Sequence, residues 1–375
     1  PPAPPHMPSG LPDEGPLLGE KTAWSGLEKT CRAVRMRPED MFHHVYILGQ
    51  TGTGKTTMLS SMLMERLEAG SGVGLIDPHG DLYDQIREAI PPRRREDVIL
   101  FDPASEESDA KLNLLEYDPE RPRQRSTLIN ELLQILDQEY DLKETGGPIF
   151  ERYMRNALLL VMDDPENPGT LLDVVRLFQD RAYREGLLEA CDNERAVQFW
   201  REAENTPTTG ELPSPENMSI YVTSKLSRFL DDDYLRSLVS QRRSTIDFQA
   251  VIDEGKILLV KMQKGKLGQI GARMFGTIIV ARLMMAALAR AEVPEADRKD
   301  FFLFVDEFQN FTTPTIASLL SEARKYRLSL TLANQTLYQL RAQDGGVTVH
   351  QSAHPDLFER VHYRLETALN SLPFL

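Results

Sequence analysis

The sequence predicts an α/β protein with a mainly parallel sheet and an all-α domain inserted between strands of that sheet. Three observations carry this. Over residues 42–117 short apolar runs alternate with stretches of helical spacing. From about 118 to 243 the strand signal disappears and only helical spacing remains. From about 244 the strands return, again alternating with helices. Such alternation implies parallel strands joined by right-handed crossovers. The expected division is a lead-in over 1–41, an α/β domain made of 42–117 and 244–375, and a helical insertion over 118–243.

The opening "PPAPPHMPSGLPDEGP" is rich in proline and glycine, so the lead-in is expected to be flexible. "HVYILG" (His44–Gly49) reads as a short buried strand, and "KTTMLSSMLMERLEAG" as a helix closed by Gly70. "GVGLIDPHGDL" (Gly72–Leu82) is a strand ending in a polar turn, "YDQIREAI" a helix stopped by Pro91 and Pro92, and "DVILFDP" (Asp97–Pro103) another strand. In the insertion, "STLINELLQILDQ", "PIFERYMRNALLLVM", "TLLDVVRLFQD", "ERAVQFWREAE" and "ENMSIYVTSKLSRFL" place apolar residues at helical spacing. Beyond it come a strand "GKILLVKM" (Gly255–Met262), a long helix "IGARMFGTIIVARLMMAALARA" and a strand "FFLFVDEF" (Phe301–Phe308). A helix "TIASLLSEARKY" and a strand "LSLTLANQ" (Leu328–Gln335) follow.

Composition narrows the function classes. The chain has 375 residues, 41% hydrophobic and 27% charged, as ordinary globular proteins have. Its formal net charge of −14 argues against coating nucleic acid through overall charge, so any DNA site must be a local basic patch. The two cysteines, Cys31 and Cys191, lack metal spacing and suit a reducing compartment. The most apolar stretch is broken by Arg273 and Arg282 and reads as a buried helix, not a membrane span. The expected location is the cytoplasm, with recruitment to the inner membrane through a partner or an anchor outside this chain.

The chemistry begins at "LGQTGTGKTT". Gly49, Gly54, Lys55 and Thr56 fit G-x-x-x-x-G-K-[ST] between a strand and a helix N-terminus. The glycines let backbone N–H groups curl around phosphate oxygens, so Gly49, Gln50, Thr51, Gly52, Thr53, Gly54, Lys55, Thr56 and Thr57 form the candidate nucleotide cradle. Lys55 reaches the β- and γ-phosphates, and the Thr56 hydroxyl can ligate Mg²⁺. Such a loop needs an acid for Mg²⁺ and a group that activates water. "FFLFVDEF" ends an apolar strand with Asp306 and Glu307, at the edge where parallel sheets bind ligands. Asp306 is the candidate Mg²⁺ acid, and Glu307 the residue that polarises the attacking water. Asn334 and Gln335 close the strand "LTLANQ"; an amide there senses the γ-phosphate or simply caps the strand.

Basic residues offer three places for DNA. Lys261, Lys264 and Lys266 in "KMQKGKLG" follow a strand; with their glycines they form either a channel-lining loop or a solvated turn. "PPRRRED" reads better as a surface loop, because Glu96 and Asp97 adjoin its arginines, and "SQRRS" marks the return to the sheet or a subunit contact. His350 and His354 in "HQSAH" lack a third ligand, and His79 in "DPHGD", at a strand end near the nucleotide edge, is expected to form a structural turn or to support the residues that touch the nucleotide.

The order of the motifs is itself informative. The phosphate loop, "IDPHGDL", the helical insertion, "TSKLSRFL", "GKILLVKMQKGKLG", "VDEFQNF", "SEARKY" and "ANQTLYQL" resemble the conjugative coupling proteins of type IV secretion systems and their HerA/FtsK-type DNA-pumping relatives. The resemblance spans roughly residues 40–340. It implies a RecA-like P-loop NTPase core, ATP and Mg²⁺ as cofactors, hexameric rings with DNA in the channel, and relaxase or secretion-channel proteins as partners. By the same resemblance Lys55, Thr56, Asp306 and Glu307 carry the phosphate, metal and catalytic roles, and Gln335 is the sensor amide. Arg324 in "SEARKY" falls where coupling proteins carry an arginine proposed to reach a neighbour's ATP; on the residues alone it is equally a helix C-terminal cation, with Arg327 the nearest substitute. The last stretch, "RAQDGGVTVHQSAHPDLFERVHYRLETALNSLPFL", departs from the family pattern, which leaves the closing strand of the core open. The function implied is ATP-driven movement of DNA. The alternatives are a secretion ATPase acting on protein, and a docking protein whose assembly nucleotide controls.

Overall fold

In the computed structural model, the residues described are 12–25, 28–105, 111–142, 147–205, 213–311, 313 and 322–335. The His350 and His354 pair and the final stretch lie outside them, as do residues 315–321 of the helix expected at "TIASLLSEARKY".

The chain divides into two compact units. The first comprises the described residues of Pro1–Phe101, Phe248–Lys261 and Ala286–Leu375. Its centre is a six-stranded parallel sheet built from β3 (Val45–Leu48), β4 (Gly72–Asp77), β5 (Val98–Phe101), β6 (Ile257–Lys261), β7 (Phe301–Val305) and β8 (Leu328–Asn334). The spatial order is β3-β8-β7-β4-β6-β5. Every residue of β4, β6, β7 and β8 is buried. That explains the apolar runs of β4, β6 and β7, because a parallel strand is covered on both faces; in β8 the buried Ser329 hydroxyl donates to the Met41 carbonyl at 2.7 Å. The glycine of β4 at Gly72 answers a close approach: a Cβ there would lie 2.7 Å from the Phe301 ring and 2.8 Å from Gly255 Cα.

Helices α1 (Lys55–Glu68) and α2 (Asp81–Ala89) follow β3 and β4. Leu59, Met62, Leu63 and Leu67 of α1 and Leu82, Tyr83 and Ile86 of α2 join Val73, Leu75, Ile257, Leu259, Phe302 and Phe304 in one core. The lead-in is not wholly irregular. Leu17–Ser25 and Glu28–Arg35 form an antiparallel hairpin, β1 and β2, and Leu18 and Met36 pack onto the same core. Their sequence lacks clear alternation, so the pairing rests on contacts that no local pattern announces.

The second unit comprises the described residues of Asp102–Asp247 and Met262–Met285. Its helices are α3 (Arg123–Tyr140), α4 (Gly147–Val161), α5 (Leu171–Gln179), α6 (Arg181–Ala190), α7 (Glu194–Asn205), α8 (Pro215–Leu230) and α9 (Asp233–Val239). Tyr153 and Trp200 meet edge to face with centroids 5.9 Å apart, and Phe178 and Phe199 complete that cluster. The buried Arg184 is matched by Glu204 at 2.7 Å, Glu216 at 3.0 Å and the Leu177 carbonyl at 2.9 Å, which offsets the cost of burying its charge.

A short helix, α10 (Phe248–Asp253), precedes β6, and a long one, α11 (Lys264–Ala289), follows it. Gly268 interrupts α11 at φ 69, ψ 166. The glycine-bearing loop expected at "KMQKGKLG" is therefore a strand end followed by a helical turn. Lys264–Glu292 is long and apolar enough to cross a membrane, and 78% of its most apolar stretch is buried inside the protein. Its two internal arginines have protein partners: Arg273 pairs with Glu139 at 2.6 Å, and Arg282 donates to the Glu116 carbonyl at 2.6 Å. Burial pushes the Arg282 guanidinium down to about 10, partly countered by Glu116.

Candidate active site

The first unit holds a cleft of about 430 Å³ at the C-terminal edge of the sheet. One wall is the turn between β3 and α1. Gly49 N donates to the Asn334 carbonyl at 3.2 Å, tying the start of the turn to β8. Thr53 closes it locally, its N–H and hydroxyl both donating to the Gln50 carbonyl, at 3.2 and 2.7 Å. Gly52 and Gly54 sit at φ 82 and 90, where a side chain would be strained. Gln50, Thr51, Gly52, Gly54, Lys55, Thr56 and Thr57 line the cleft, and Gly49 and Thr53 are not among its lining residues.

The opposite wall comes from the ends of β7 and β8. Asp306 N donates to the Ile76 carbonyl at 3.1 Å, which fixes the end of β7 against β4. Glu307 then turns into the left-handed region at φ 49, ψ 47. Lys55 Nζ lies 3.9 Å from Asp306 Oδ1 and 3.5 Å from Glu307 Oε1, so the loop lysine faces both acids. Gln335 Nε2 donates to Glu307 Oε1 at 2.8 Å, and Gln309 Nε2 donates to Oε2. Burial raises the Asp306 carboxyl above its ordinary value, against the opposing charge of Lys55. For Glu307 burial also raises it, but the Gln335 and Gln309 amides and then Lys55 outweigh burial and hold it below the ordinary value.

The floor is the turn after β4. Asp77 is buried and accepts from His79 N at 2.9 Å and Tyr83 N at 3.0 Å, so it ties the turn to the first turn of α2. His79, Asp81 and Leu82 line the cleft beside it. Gly80 stands at φ 97, and a Cβ there would lie 2.5 Å from Lys261 Cε.

The structure thus brings Lys55, Thr56, Asp306, Glu307 and Gln335 to one cleft. It keeps others away. Lys261 is buried and gives its ammonium to both oxygens of Asp84, at 2.9 and 2.7 Å, over the Tyr83 ring. This corrects the reading of Lys261 as a group open to DNA phosphates. Lys264 and Lys266 lie on the helical turn before Gly268, where Lys266 donates to the Ala104 carbonyl at 3.2 Å. Arg324 is exposed on a 3-10 turn, Ala323–Tyr326, outside the cleft. Arg327 is engaged by Asp300 at 2.6 Å and by the face of Phe42. In "PPRRRED", Arg94 is buried and bonds Gly255 and Ser71 carbonyls, a structural use.

Sequence reasoning passed over Asp77, Asp81 and Gln309. Asp77 shares the strand-end position of Asp306, so the edge rule alone points to it. Gln309 leaves no such signal, because only the turn at Glu307 brings its amide back.

The donor set suits a small hard cation beside phosphates. Among the described residues no cluster of three or more His, Cys, Asp or Glu forms a protein-only cage. A hydroxyl on Thr56 and a carboxylate on Asp306 line the cleft instead, and Mg²⁺ typically takes one or two such ligands with phosphate and water completing its shell.

The family model described as Helicase HerA, central domain, matches residues 28–265. No curated protein matches the chain in sequence. Among solved structures, the bacterial conjugative coupling protein TrwBdeltaN70 in unbound form is 17% identical with a TM-score of 0.55, over 82% of this chain and 66% of that one. The plasmid coupling protein TrwB in complex with ADP and Mg²⁺ gives 17% and 0.55, over 82% and 67%. VirB4 of Thermoanaerobacter pseudethanolicus gives 16% and 0.55, over 89% and 80%. At such identities the likeness is one of fold: a P-loop NTPase sheet with helices. This chain spans about two thirds of the length of the coupling protein.

Proposed function

This chain belongs to the family of the HerA helicase central domain, and from that premise we propose that it is a Mg²⁺-dependent ATPase of the conjugation and type IV secretion kind, a motor that moves DNA. The observation that carries the reading is the cleft in which Lys55, Thr56, Asp306, Glu307 and Gln335 converge from three strand ends. The fold likeness to TrwB, solved with ADP and Mg²⁺, supports nucleotide and metal use here.

The geometry supports the following roles. Backbone N–H groups of Gln50–Thr57 wrap the phosphates at the N-terminus of α1, which favours anions. The Lys55 ammonium exchanges its two carboxylate partners for β- and γ-phosphate oxygens. Thr56 and Asp306 would hold Mg²⁺, which supplies neutralising charge for the phosphate oxygens. Glu307, kept ionised by its amide donors, orients and polarises the attacking water. The Gln335 amide, bonded to Glu307, leaves it for the γ-phosphate when nucleotide binds and so reports its occupancy. Attack on the γ-phosphorus releases ADP and phosphate.

Residues 118–243 are proposed as the inserted helical lobe, and a ring of six copies as the working form. In that ring Arg324, exposed and away from its own cleft, reaches a neighbour's nucleotide. DNA meets local basic groups of the channel, with Lys264 and Lys266 the remaining candidates on this chain. Relaxase or secretion-channel proteins are the proposed partners, and the cytoplasm the proposed place of work. A second reading, a secretion ATPase that acts on protein, uses the same cleft chemistry and differs in what is moved.

The deciding experiment is steady-state ATP hydrolysis with and without single- and double-stranded DNA at low salt, with Glu307→Gln as the blank. Stimulation by DNA that disappears in Glu307→Gln supports the motor. Hydrolysis indifferent to DNA in samples shown by sizing to be assembled removes the DNA reading in favour of the protein-directed one.

A further inference from the structure

Glu307 is held more firmly than its neighbours require. A non-glycine residue in the left-handed region is costly, and strained backbone at a functional site persists only where the surroundings over-determine it. Here the restraint comes from the 3-10 turn Phe308–Asn310 that follows. Asn310 donates to the Glu307 carbonyl twice, through Nδ2 at 2.7 Å and through its backbone N–H at 3.0 Å. Gln309 Nε2 donates to the carboxylate itself, at Oε2. Gln335 holds the other oxygen from the end of β8.

The two glutamines differ in what they can do. Gln335 stands on a separate strand end in the cleft wall, and a bound triphosphate competes for its amide. Gln309 belongs to the turn of Glu307 and keeps its contact when Gln335 turns away. Each carboxylate oxygen has two lone-pair sites, so one amide on Oε2 leaves room for a water proton.

We infer that Gln309 is a positioning residue for hydrolysis: it anchors Oε2 of Glu307 so that the carboxylate stays aimed into the cleft when nucleotide draws Gln335 away. The inference rests on the proposed role of Glu307. A purely structural role for Gln309 predicts something else. Its own Oε1 is buried without a partner among the described residues, which is costly, and an apolar side chain of equal length avoids that cost.

The test is Gln309→Met in the full chain, which keeps length and bulk and removes only the amide. Hydrolysis is measured in whichever DNA condition gives the highest rate, beside affinity for a non-hydrolysable ATP analogue and the melting temperature. The expected result is a tenfold or greater fall in kcat, with analogue affinity within twofold and melting unchanged. Gln309→Glu, which sets a second carboxylate against Glu307, falls at least as far. Unchanged kcat in Gln309→Met overturns the inference, and so does a fall matched by lost analogue affinity or lower melting. Glu307→Gln run in parallel keeps the two readings apart. If it still hydrolyses ATP, the role of Glu307 itself fails; if it is inactive while Gln309→Met is normal, only the anchor fails.

Discussion

Lys261 looks like a DNA contact in sequence and a strut in the structure, and two substitutions separate these. The residue is 8% exposed, and its stem fills the space that a Cβ on Gly80 would take. Lys261→Ala removes Cγ, Cδ and Cε, three methylenes at about 0.8 kcal/mol each, or about 2.5 kcal/mol. The ion pair adds little, about 0.5 kcal/mol, because the Asp84 side chain is 52% exposed and solvent screens it. Lys261→Met keeps three heavy atoms beyond Cβ and loses only that small part. The expected difference between the variants is therefore about 2.5 kcal/mol, or roughly 5–10 °C for a unit of this size. Differential scanning calorimetry measures it on the transition that rises with added ATP analogue, since binding stabilises the unit that binds. Equal destabilisation by Met and Ala would refute the stem argument and make the charge dominant. Normal melting in both, with weaker DNA binding and a salt slope lower by about one, would return Lys261 to the DNA-contact reading.

Other outcomes follow from the same geometry. Gly80→Ala forces a Cβ into φ 97 and against Lys261 Cε, so the same calorimetric transition falls by about 1–3 kcal/mol, and an unchanged transition would show the turn to be more plastic than its contacts imply. Trp200→Ala leaves a hole among Tyr153, Phe178 and Phe199 and removes the bond from its indole N–H to the Asn156 carbonyl. Urea unfolding followed by far-ultraviolet circular dichroism should show a loss of about 3–5 kcal/mol, whereas a loss under 1 kcal/mol contradicts the cluster's importance.

What could be read in advance, and what could not, divides along physical lines. β4, β6 and β7 were legible because strands covered on both faces are apolar along most of their length, and β8 because its leucines alternate with Ser329 and Thr331; both patterns are local. The phosphate loop and the pair Asp306 and Glu307 were legible because both the loop spacing and the strand-end rule are written in consecutive residues. The hairpin Leu17–Arg35 was not, since its register is set by pairing and by packing onto the core. Nor was the fate of Lys261: a lysine among glycines looks mobile until Gly80, far back in the chain, opens the space that buries it. In its described part the helix expected through "SEARKY" is a 3-10 turn followed by Arg327 at φ 58, whose side chain Asp300 and the Phe42 face hold. Gln309 was invisible because its importance depends on a left-handed glutamate, which no propensity favours.

The order of strands in the sheet has a metric consequence. The phosphate loop leaves β3 and the acids leave β7, with β8 alone between them. Neighbouring strands stand about 4.8 Å apart, so the loop and the acids are set off by two spacings, about 10 Å. Backbone hydrogen bonds fix that span, as Leu48 pairs with Asn334 and Val305 with Leu332 across it. The gauge of the cleft is thus a property of the ladder and not of any side chain. Substitutions at Lys55, Glu307 or Gln335 change what happens inside it while leaving its width alone.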